Sequence, residues 1–332
     1  MNYRQLGKTG LKVSEISFGA WAIGGPAMAG DIPIGWGDVK EEESIRAILK
    51  ARELGINFFD TADFYGLGYS EKLLGKVLKP FWNEIILATK VGHELLSDGT
   101  INLNFSKNYM IEACERSLKR LQKDVIDVYQ LHSARMIHLE QGECIEAMEK
   151  LQQDGKIRYW GISLNTFQPD EEAEFFFEHN IGHTFQVVFN IINQVAYENV
   201  LKKAVENNYG IIARMPLQFG LLTGKFSKKT RFDKNDHRSF RLTPDILESA
   251  GDKLVLVWEI AEKYRVSKTN FALSFILNHR EISTVIPGIK TVRQAEENSQ
   301  DIIKLSEDDL KLLHEYFNSD LIKLVEEFRS AG

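Results

Sequence analysis

Short apolar runs alternate with longer amphipathic stretches along most of the chain. The runs have the length of buried strands, and the stretches between them repeat their apolar positions with the period of a helix. This alternation predicts a parallel sheet covered by helices. Eight such repeats favour closure into a (β/α)8 barrel over an open sheet. The predicted strands are Glu15–Ala20, Asn57–Asp60, Ile85–Thr89, Val125–Leu131, Arg158–Ser163, Phe185–Phe189, Ile211–Arg214 and Ser283–Ile286.

Further elements are predicted at the two ends of the chain and between the strands. Asn2–Gln5 and Leu11–Val13 flank a glycine-containing turn, which predicts an N-terminal β-hairpin. Extra C-terminal helices are expected from Val292 and over Glu307–Phe317. No boundary interrupts the pattern, so we expect one barrel domain over residues 1–332. The other predicted helices are Glu41–Leu54, Ser70–Leu78, Asn108–Leu121, Leu139–Gln153, Pro169–His179, Glu198–Asn207, Asp252–Tyr264 and Lys268–Asn278.

One long polar segment, Phe226–Asp245, interrupts the alternation between the seventh and eighth strands. Long insertions in barrels are usually functional or mobile. Its basic residues are more typical of a solvated loop than of a clamp for a phosphorylated sugar, and both interpretations stay open. Those residues are Arg231, Lys234, His237, Arg238 and Arg241.

Composition narrows the class of protein. The chain has 332 residues, of which 43% are hydrophobic, and a net charge of −6, so it can bury a full core and is a poor partner for nucleic acid or membranes. The amino terminus has no signal peptide, and no apolar run is long enough to cross a bilayer. Two scattered cysteines, Cys114 and Cys144, indicate a reducing compartment without disulfides or a metal site. We therefore expect a cytoplasmic protein that is a monomer or a weak homo-oligomer.

Polar side chains close the predicted strands at the end where barrels carry their catalytic groups. Each has an ordinary structural interpretation: Asp60 as a turn cap, Lys90 as a solvated rim lysine, His132 as a hydrogen-bonded core histidine. Their occurrence on successive strands is what favours a site. The residues at these ends are Trp21, Asp60, Lys90, His132, Ser163, Gln186, Arg214 and Lys290.

A tyrosine in the loop after Asp60 completes a set suited to proton transfer. The phenol of Tyr65 has an ordinary pKa of about 10, too high for an acid at neutral pH. A nearby lysine lowers that pKa, a carboxylate keeps the lysine charged, and an imidazole orients the substrate oxygen. These groups can protonate a carbonyl oxygen but supply no hydride, so a nicotinamide cofactor is needed.

Several motifs together resemble the aldo-keto reductase superfamily, in particular its bacterial NADPH-dependent members, from Tyr3 to about Asn298. They include Asp60-Thr-Ala-Asp-Phe-Tyr65-Gly66, Leu74-Gly75 and Asp127-Val-Tyr-Gln-Leu-His132. The resemblance implies a catalytic tetrad of Asp60, Tyr65, Lys90 and His132, with Tyr65 as general acid and base. It also implies reduction of aldehydes or ketones, with sugar carbonyls as one candidate class, or the reverse oxidation of alcohols. Trp21, Tyr65 and His132 are expected to line the substrate pocket.

The resemblance further implies NADPH or NADP⁺ bound along the strand ends without a Rossmann loop. The glycines Gly66-Leu67-Gly68 lack a third glycine and are interpreted as a turn. A capping box at Thr291–Gln294, with Lys290 beside it, is independently typical of an anion site at a helix start. The residues expected to bind the cofactor are Ser163, Gln186, Arg214, Leu217, Gly220, Leu222, Thr223, Gly288, Lys290, Gln294 and Asn298.

The chain departs from the family pattern at three places. Leu164 stands where the family often has asparagine, and Ser133-Ala134-Arg135 replaces a common Trp-Pro. Arg214 stands where the family often stacks a tyrosine on the nicotinamide. A guanidinium also stacks on rings, and its charge predicts tighter binding of NADPH than of NADP⁺. The other interpretation is that Arg214 turns away to pair with a carboxylate or a cofactor phosphate.

Two other classes of protein compete with a reductase. An NADPH-binding regulatory subunit on the same fold is compatible with an intact tetrad, since fold alone does not fix function. A metal-dependent hydrolase or isomerase would need histidines or carboxylates at metal-ligand spacing, and His93, His132 and His138 do not provide it.

Overall fold

Eight parallel strands form the central sheet of the computed structural model, which describes residues 1–331. Each strand is hydrogen-bonded to the next along the chain, and a helical connection follows most strands. The predicted strands are all present, several of them shifted by one or two residues. They are β1 (Phe18–Gly19), β2 (Phe58–Asp60), β3 (Ile86–Val91), β4 (Ile126–His132), β5 (Ile157–Ser163), β6 (Thr184–Val188), β7 (Gly210–Arg214) and β8 (Thr284–Val285).

The first and last strands meet and close the sheet into a barrel. Both are much shorter than the predicted Glu15–Ala20 and Ser283–Ile286. They are nevertheless joined by parallel bridges between Ile16 and Val285 and between Gly19 and Gly288. The (β/α)8 barrel expected from the alternation is therefore confirmed.

The predicted amino-terminal hairpin is confirmed and covers one end of the barrel. Tyr3–Gln5 pairs antiparallel with Lys12–Ser14. Leu6, Leu11 and Val13 of this hairpin are buried against the apolar side chains at the bottom of the strands. Because this end is sealed by packing, the opposite end, where the strands finish, is the one left to form a site.

The α-helices mostly follow the predicted pattern, with different ends. Their bounds are Glu41–Glu53, Tyr69–Leu78, Lys107–Leu121, Met136–Gln141, Glu143–Gln153, Asp170–His179, Lys202–Glu206, Arg238–Arg241, Pro244–Lys253, Val255–Glu262, Lys268–Leu277, Val292–Ser299, Glu307–Tyr316 and Ile322–Ser330.

Two helix predictions were wrong for local reasons, and a third, Asp252–Tyr264, is divided at Leu254 between Pro244–Lys253 and Val255–Glu262. Leu139–Gln153 is not one helix, because Gly142 takes a left-handed conformation with φ of 78° and ends one helix where the next begins. Glu198–Asn207 begins as a π-turn over Tyr197–Leu201 before the α-helix starts. A second π-turn after Tyr316 carries the last predicted helix on into Ile322–Ser330.

A glycine of the motif Leu74-Gly75 explains how two neighbouring helices pack. Gly75 lies in Tyr69–Leu78, and a Cβ built on it would lie 2.5 Å from the carbonyl oxygen of Arg120 and 2.7 Å from that of Leu121. The backbones of the two helices therefore approach too closely for any side chain. This motif glycine serves the fold and not the chemistry.

We predict that Gly75→Ala destabilises the protein by about 1–3 kcal/mol, because the methyl group must push two backbones apart. Gly251→Ala is the matched control, since Gly251 is an exposed helical glycine and no atom lies within 4 Å of the place its Cβ would take. That variant should gain about 0.5–1 kcal/mol from helix propensity. Urea unfolding followed by circular dichroism measures both, and equal shifts in the two variants would contradict the packing argument.

Candidate active site

Three of the four tetrad residues are joined at the ends of adjacent strands. The ammonium of Lys90 in β3 lies 2.6 Å from Asp60 Oδ1 and donates to the Thr61 carbonyl at 2.7 Å. The same ammonium lies 3.2 Å from the hydroxyl of Tyr65. Lys90 and Asp60 are fully buried, whereas Tyr65 is partly exposed. The geometry therefore places a paired cation beside an accessible phenol.

The second carboxylate oxygen of Asp60 is held by two glutamine side chains. Gln186 Nε2 donates to Asp60 Oδ2 at 2.7 Å, and Gln130 Nε2 donates to it at 3.3 Å. Gln186 was expected from the family pattern as a cofactor contact, and it also orients the aspartate. Gln130 was missed because it lies inside β4, where only burial of its polar side chain marks it as special.

The charges of this group set the protonation of Tyr65 and Lys90. Burial raises the pKa of Tyr65 above its ordinary value, and Lys90 opposes this only in part. Lys90 thus acts on the phenol in the direction expected from the sequence, but burial outweighs it. Burial alone lowers the pKa of Lys90, but the Asp60 carboxylate and Tyr65 reverse this, and the net pKa is raised. At neutral pH the phenol therefore keeps its proton and the lysine keeps its charge.

His132 is the last residue of β4 and contacts the same phenol. Its ring meets the Tyr65 ring edge-on, with centroids 5.9 Å apart. Burial lowers the pKa of His132 well below the ordinary value, and the nearby His93, Lys90 and Arg214 lower it further. The imidazole is therefore neutral over the physiological range. The structure brings all four tetrad residues together.

A cavity of about 710 Å³ opens above these residues. Trp21, Tyr65 and His132, the predicted substrate-pocket residues, all line it. Trp21 stacks on Tyr65 with ring centroids 5.8 Å apart and meets Trp36 edge-on at 5.4 Å. The cavity wall next to the phenol is therefore aromatic.

The insertion Phe226–Asp245 folds over this cavity instead of extending into solvent. Arg231 and Lys234 are exposed, as a solvated loop would have them. His237 is 1% exposed and donates its backbone N–H to Gly35 at 3.0 Å. Arg238 forms a two-pronged ion pair with Asp236, at 2.9 and 2.5 Å. The expectation of a solvated cluster was thus wrong for this half of the segment, since His237, Arg238 and Arg241 line the cavity.

Three residues expected to contact the cofactor lie at the ends of neighbouring strands. Ser163 in β5 pairs in register with Gln186 in β6, and both line the cavity. Arg214 ends β7 and donates through Nη2 to the Leu164 carbonyl at 3.1 Å and to Thr166 Oγ1 at 3.0 Å. Its Nε is buried without a hydrogen-bond partner. Arg214 is therefore anchored to neutral oxygens, and no carboxylate pairs with it among residues 1–331.

The loop after β7 carries the next group of expected cofactor residues. Leu217, Gly220 and Thr223 line the cavity, whereas the side chain of Leu222 is fully buried in the core. Gly220 has φ of 98°, and its neighbours Gln218 and Phe219 also have positive φ. Such strain in non-glycine residues persists only where the surroundings enforce it, and it is common at ligand sites.

The last expected group lies after β8. Gly288, Lys290 and Gln294 line the cavity. The predicted capping box is partly confirmed: the Thr291 side chain accepts from the Gln294 N–H, but Gln294 Oε1 accepts from the backbone of Lys290 instead. Lys290 Nζ donates to the Trp36 carbonyl at 2.9 Å. Asn298 is 3% exposed, and its Nδ2 has no partner.

The described part of the chain contains neither a metal-binding cluster nor a membrane-spanning helix. Residues 1–331 contain no group of three or more His, Cys, Asp or Glu side chains able to hold a metal ion. No helix within those residues is long and apolar enough to span a membrane.

Comparison with known proteins identifies the family. Residues 15–317 match the Aldo/keto reductase family. The uncharacterized oxidoreductase YqkF of Bacillus subtilis is 31% identical over 97% of this chain and 99% of its own. The L-glyceraldehyde 3-phosphate reductase of Escherichia coli is 31% identical over 92% of this chain and 89% of its own. The holo form of the aldo-keto reductase AKR11C1 from Bacillus halodurans superposes with a TM-score of 0.77 and 30% identity, covering 95% and 96% of the two chains.

The barrel, with a lysine, a carboxylate and a phenol joined at its strand ends, defines the class of a carbonyl oxidoreductase. The chain belongs to the Aldo/keto reductase family.

Proposed function

We propose that this protein is an NADPH-dependent oxidoreductase that reduces aldehydes or ketones to alcohols, or catalyses the reverse reaction, with Tyr65 as general acid and base. The observation that carries the proposal is the 3.2 Å contact between Lys90 Nζ and the Tyr65 hydroxyl, made while Lys90 is paired with Asp60. This arrangement supplies a proton at the site where a carbonyl oxygen would gain charge.

Each tetrad residue has a separate task in this proposal. Tyr65 gives its proton to the carbonyl oxygen, and the adjacent ammonium of Lys90 stabilises the phenolate that remains. Asp60 keeps Lys90 charged and in place. His132, being neutral, donates a hydrogen bond to the same oxygen without competing for the proton. When bound, the nicotinamide cofactor supplies or accepts the hydride.

The residues around the cavity fit NADPH. The Nδ2 of Asn298, in the same helix as the cavity residue Gln294, is buried without a hydrogen-bond partner, as expected where a bound ligand supplies one. Lys290 stands beside the amino terminus of Val292–Ser299, an arrangement that attracts phosphate. Burial is the largest cause that lowers the pKa of Lys290, Arg238 lowers it further through like charge, and Asp236 opposes this. Arg238, which the sequence left open between a solvated loop and a phosphate clamp, adds to this anion site. The set we assign to the cofactor is Ser163, Gln186, Arg214, Leu217, Gly220, Thr223, Gly288, Lys290, Gln294 and Asn298, together with the backbone of Leu222, whose side chain is buried in the core.

The aromatic wall formed by Trp21 and Trp36 supports small aldehydes, ketones and sugar carbonyls as substrates. The similarity to a reductase named for L-glyceraldehyde 3-phosphate adds phosphorylated sugars to the set. A panel of these compounds, followed by the loss of NADPH absorbance, identifies the substrate class. The two buried, unpaired cysteines support a cytoplasmic location, and we propose a single-domain monomer or weak homo-oligomer.

We predict that Tyr65→Phe lowers turnover by about 10²–10⁴, because it removes the general acid. Fold and NADPH affinity should stay nearly unchanged, since the ring that stacks on Trp21 is retained. Tyr69→Phe is the matched control, because its hydroxyl contacts Glu41 on the outside of the barrel. Steady-state kinetics and cofactor titration measure both variants.

Two outcomes would contradict this assignment. Half of the wild-type turnover in Tyr65→Phe would mean that another group is the acid. Wild-type protein that binds NADPH but reduces no carbonyl compound would favour the regulatory-subunit alternative.

We predict that the protein binds NADPH at least about tenfold more tightly than NADH, because a charged hydrogen bond to the 2′-phosphate contributes about 1.5–3 kcal/mol. Lys290→Ala should weaken NADPH and spare NADH, and the difference should shrink with added salt. Arg293→Ala is the control, since this substitution removes the same charge from the helix that follows Lys290, but Arg293 pairs with Glu297 at the surface. Equal losses for both cofactors in Lys290→Ala would assign the lysine to a part they share.

We predict that the charge of Arg214 makes the protein hold NADPH more tightly than NADP⁺, because a cation facing the nicotinamide disfavours the positively charged oxidised ring. Arg214→Tyr should bring the ratio of the two dissociation constants toward unity, while Arg214→Lys, which keeps the charge, should preserve the direction of the ratio. Quenching of tryptophan fluorescence measures both cofactors. A ratio that holds while both affinities fall together would instead indicate pairing of Arg214 with a cofactor phosphate.

A further inference from the structure

One titratable residue beside the tetrad has no part in the scheme above. His93 begins the hairpin strand His93–Leu95, three residues after Lys90, and lines the cavity. Its ring meets that of His132 edge-on, with centroids 4.3 Å apart and planes at 80°. On its other side Phe64 packs against it at 5.2 Å. His93 is therefore the closest ring neighbour of the candidate catalytic histidine.

His132 lacks the hydrogen bond that normally orients a catalytic imidazole. Active-site histidines usually donate from the nitrogen away from the substrate to a carboxylate or carbonyl, which fixes both the ring plane and the tautomer. The Nδ1 of His132 is buried and has no partner. The ring must therefore be held by packing, and the flanking rings are those of His93 and Tyr65.

The same burial selects the tautomer of His132. A proton on Nδ1 would be an N–H group buried without an acceptor, and such orphaned N–H groups are rarer in proteins than buried acceptors without a donor. A proton on Nε2 faces the cavity, where water or a substrate oxygen accepts it. The nitrogen that can donate to a carbonyl oxygen is thus the one that burial of the opposite edge protonates.

We propose that His93 is the positioning residue of His132: the face-to-edge contact of the two rings holds the His132 plane and seals its Nδ1 edge, so that Nε2–H points at the substrate oxygen. The expected effect on turnover rests on the proposed function. The positioning of the His132 ring does not. The positioning role belongs to the flat ring of His93 and not to a hydrogen bond from its nitrogens, because the Nδ1 of His93 is itself buried without a partner.

The enclosure of His132 by the His93 ring also affects whether His132 is protonated. Lys90 on β3 and Arg214 on β7 both disfavour a charged imidazole, as does His93, and Tyr65 faces the ring as a neutral phenol. The largest cause of the lowered pKa of His132 is burial, and His93 supplies part of that enclosure. Opening the enclosure should raise the pKa of His132 toward its ordinary value of about 6.5, while the charges of Lys90 and Arg214 keep it below that value.

The test compares three substitutions of His93 in the full-length protein. His93→Phe keeps a flat ring of similar size, whereas His93→Ala removes the ring and His93→Leu keeps bulk without flatness. We expect His93→Ala and His93→Leu to lower kcat by at least about tenfold, with little change in KM, because a misplaced catalytic group costs this much. His93→Phe should stay within about threefold of wild type.

The second readout is ¹⁵N NMR of the His132 ring in the protein without substrate, which needs no turnover. Wild type and His93→Phe should show the neutral tautomer with the proton on Nε2 from pH 5 to 8. In His93→Ala the pKa of the ring should rise, so that the ring begins to take up a proton at the acidic end of this pH range. Thermal unfolding of each variant confirms that it is folded.

The outcomes separate this proposal from the proposed function. If His93→Phe is as damaged as His93→Ala, the role belongs to a nitrogen of His93 and the proposal is overturned. If His93→Ala keeps wild-type kcat and His132 stays neutral, His93 positions nothing. If no variant, wild type included, turns over a carbonyl while the NMR results follow the expected pattern, the proposed function fails and the positioning stands.

Discussion

The ion pair between Lys90 and Asp60 is the interaction on which the site depends. Both groups are fully buried, and charges removed from water cost several kcal/mol each unless further hydrogen bonds satisfy them. Here the Thr61 carbonyl accepts a further hydrogen bond from Lys90, and the side chains of Gln186 and Gln130 donate to Asp60. Because those partners come from β2, β4 and β6, the pair can form only when the strands are in register around a closed barrel. The fold therefore supplies the charge that the chemistry uses.

The barrel could be predicted from the sequence because its cause is local and repeated. Every buried strand must be apolar, and every covering helix must show an apolar face, so the alternation is written along the chain. The tetrad was predicted on another ground, the resemblance to a known family, to which the strand ends added that Asp60, Lys90 and His132 close successive apolar runs. The incorrect prediction of one helix over Leu139–Gln153 also had a local cause, the left-handed conformation of Gly142. The amphipathic pattern around a glycine does not indicate which conformation the glycine takes.

What could not be predicted depends on contacts between distant parts of the chain. Gln130 looks like any polar residue of a strand until the barrel brings it to Asp60. The insertion Phe226–Asp245 has the composition of a solvated loop, and only its pairing with Gly35 and Trp36 turns it over the cavity. The strained backbone at Gln218 and Phe219 is likewise invisible in sequence, because Asn190, from the loop after β6, holds Gln218 in place. The candidate catalytic groups were thus more readily predicted than the groups that hold them in place.

The protonation states of the site follow from the opposition between burial, which favours neutral groups, and the attraction between neighbouring charges. Burial favours the neutral form of every group, so it keeps the proton on Tyr65 and off His132. Lys90 escapes this, because Asp60 lies 2.6 Å away and restores its charge. The same low-dielectric surroundings that hold the proton on the phenol make the lysine's field strong once the proton leaves. Burial thus lowers the acidity of the resting phenol, and the charge of Lys90 recovers part of that loss in the phenolate, the state in which this charge matters most.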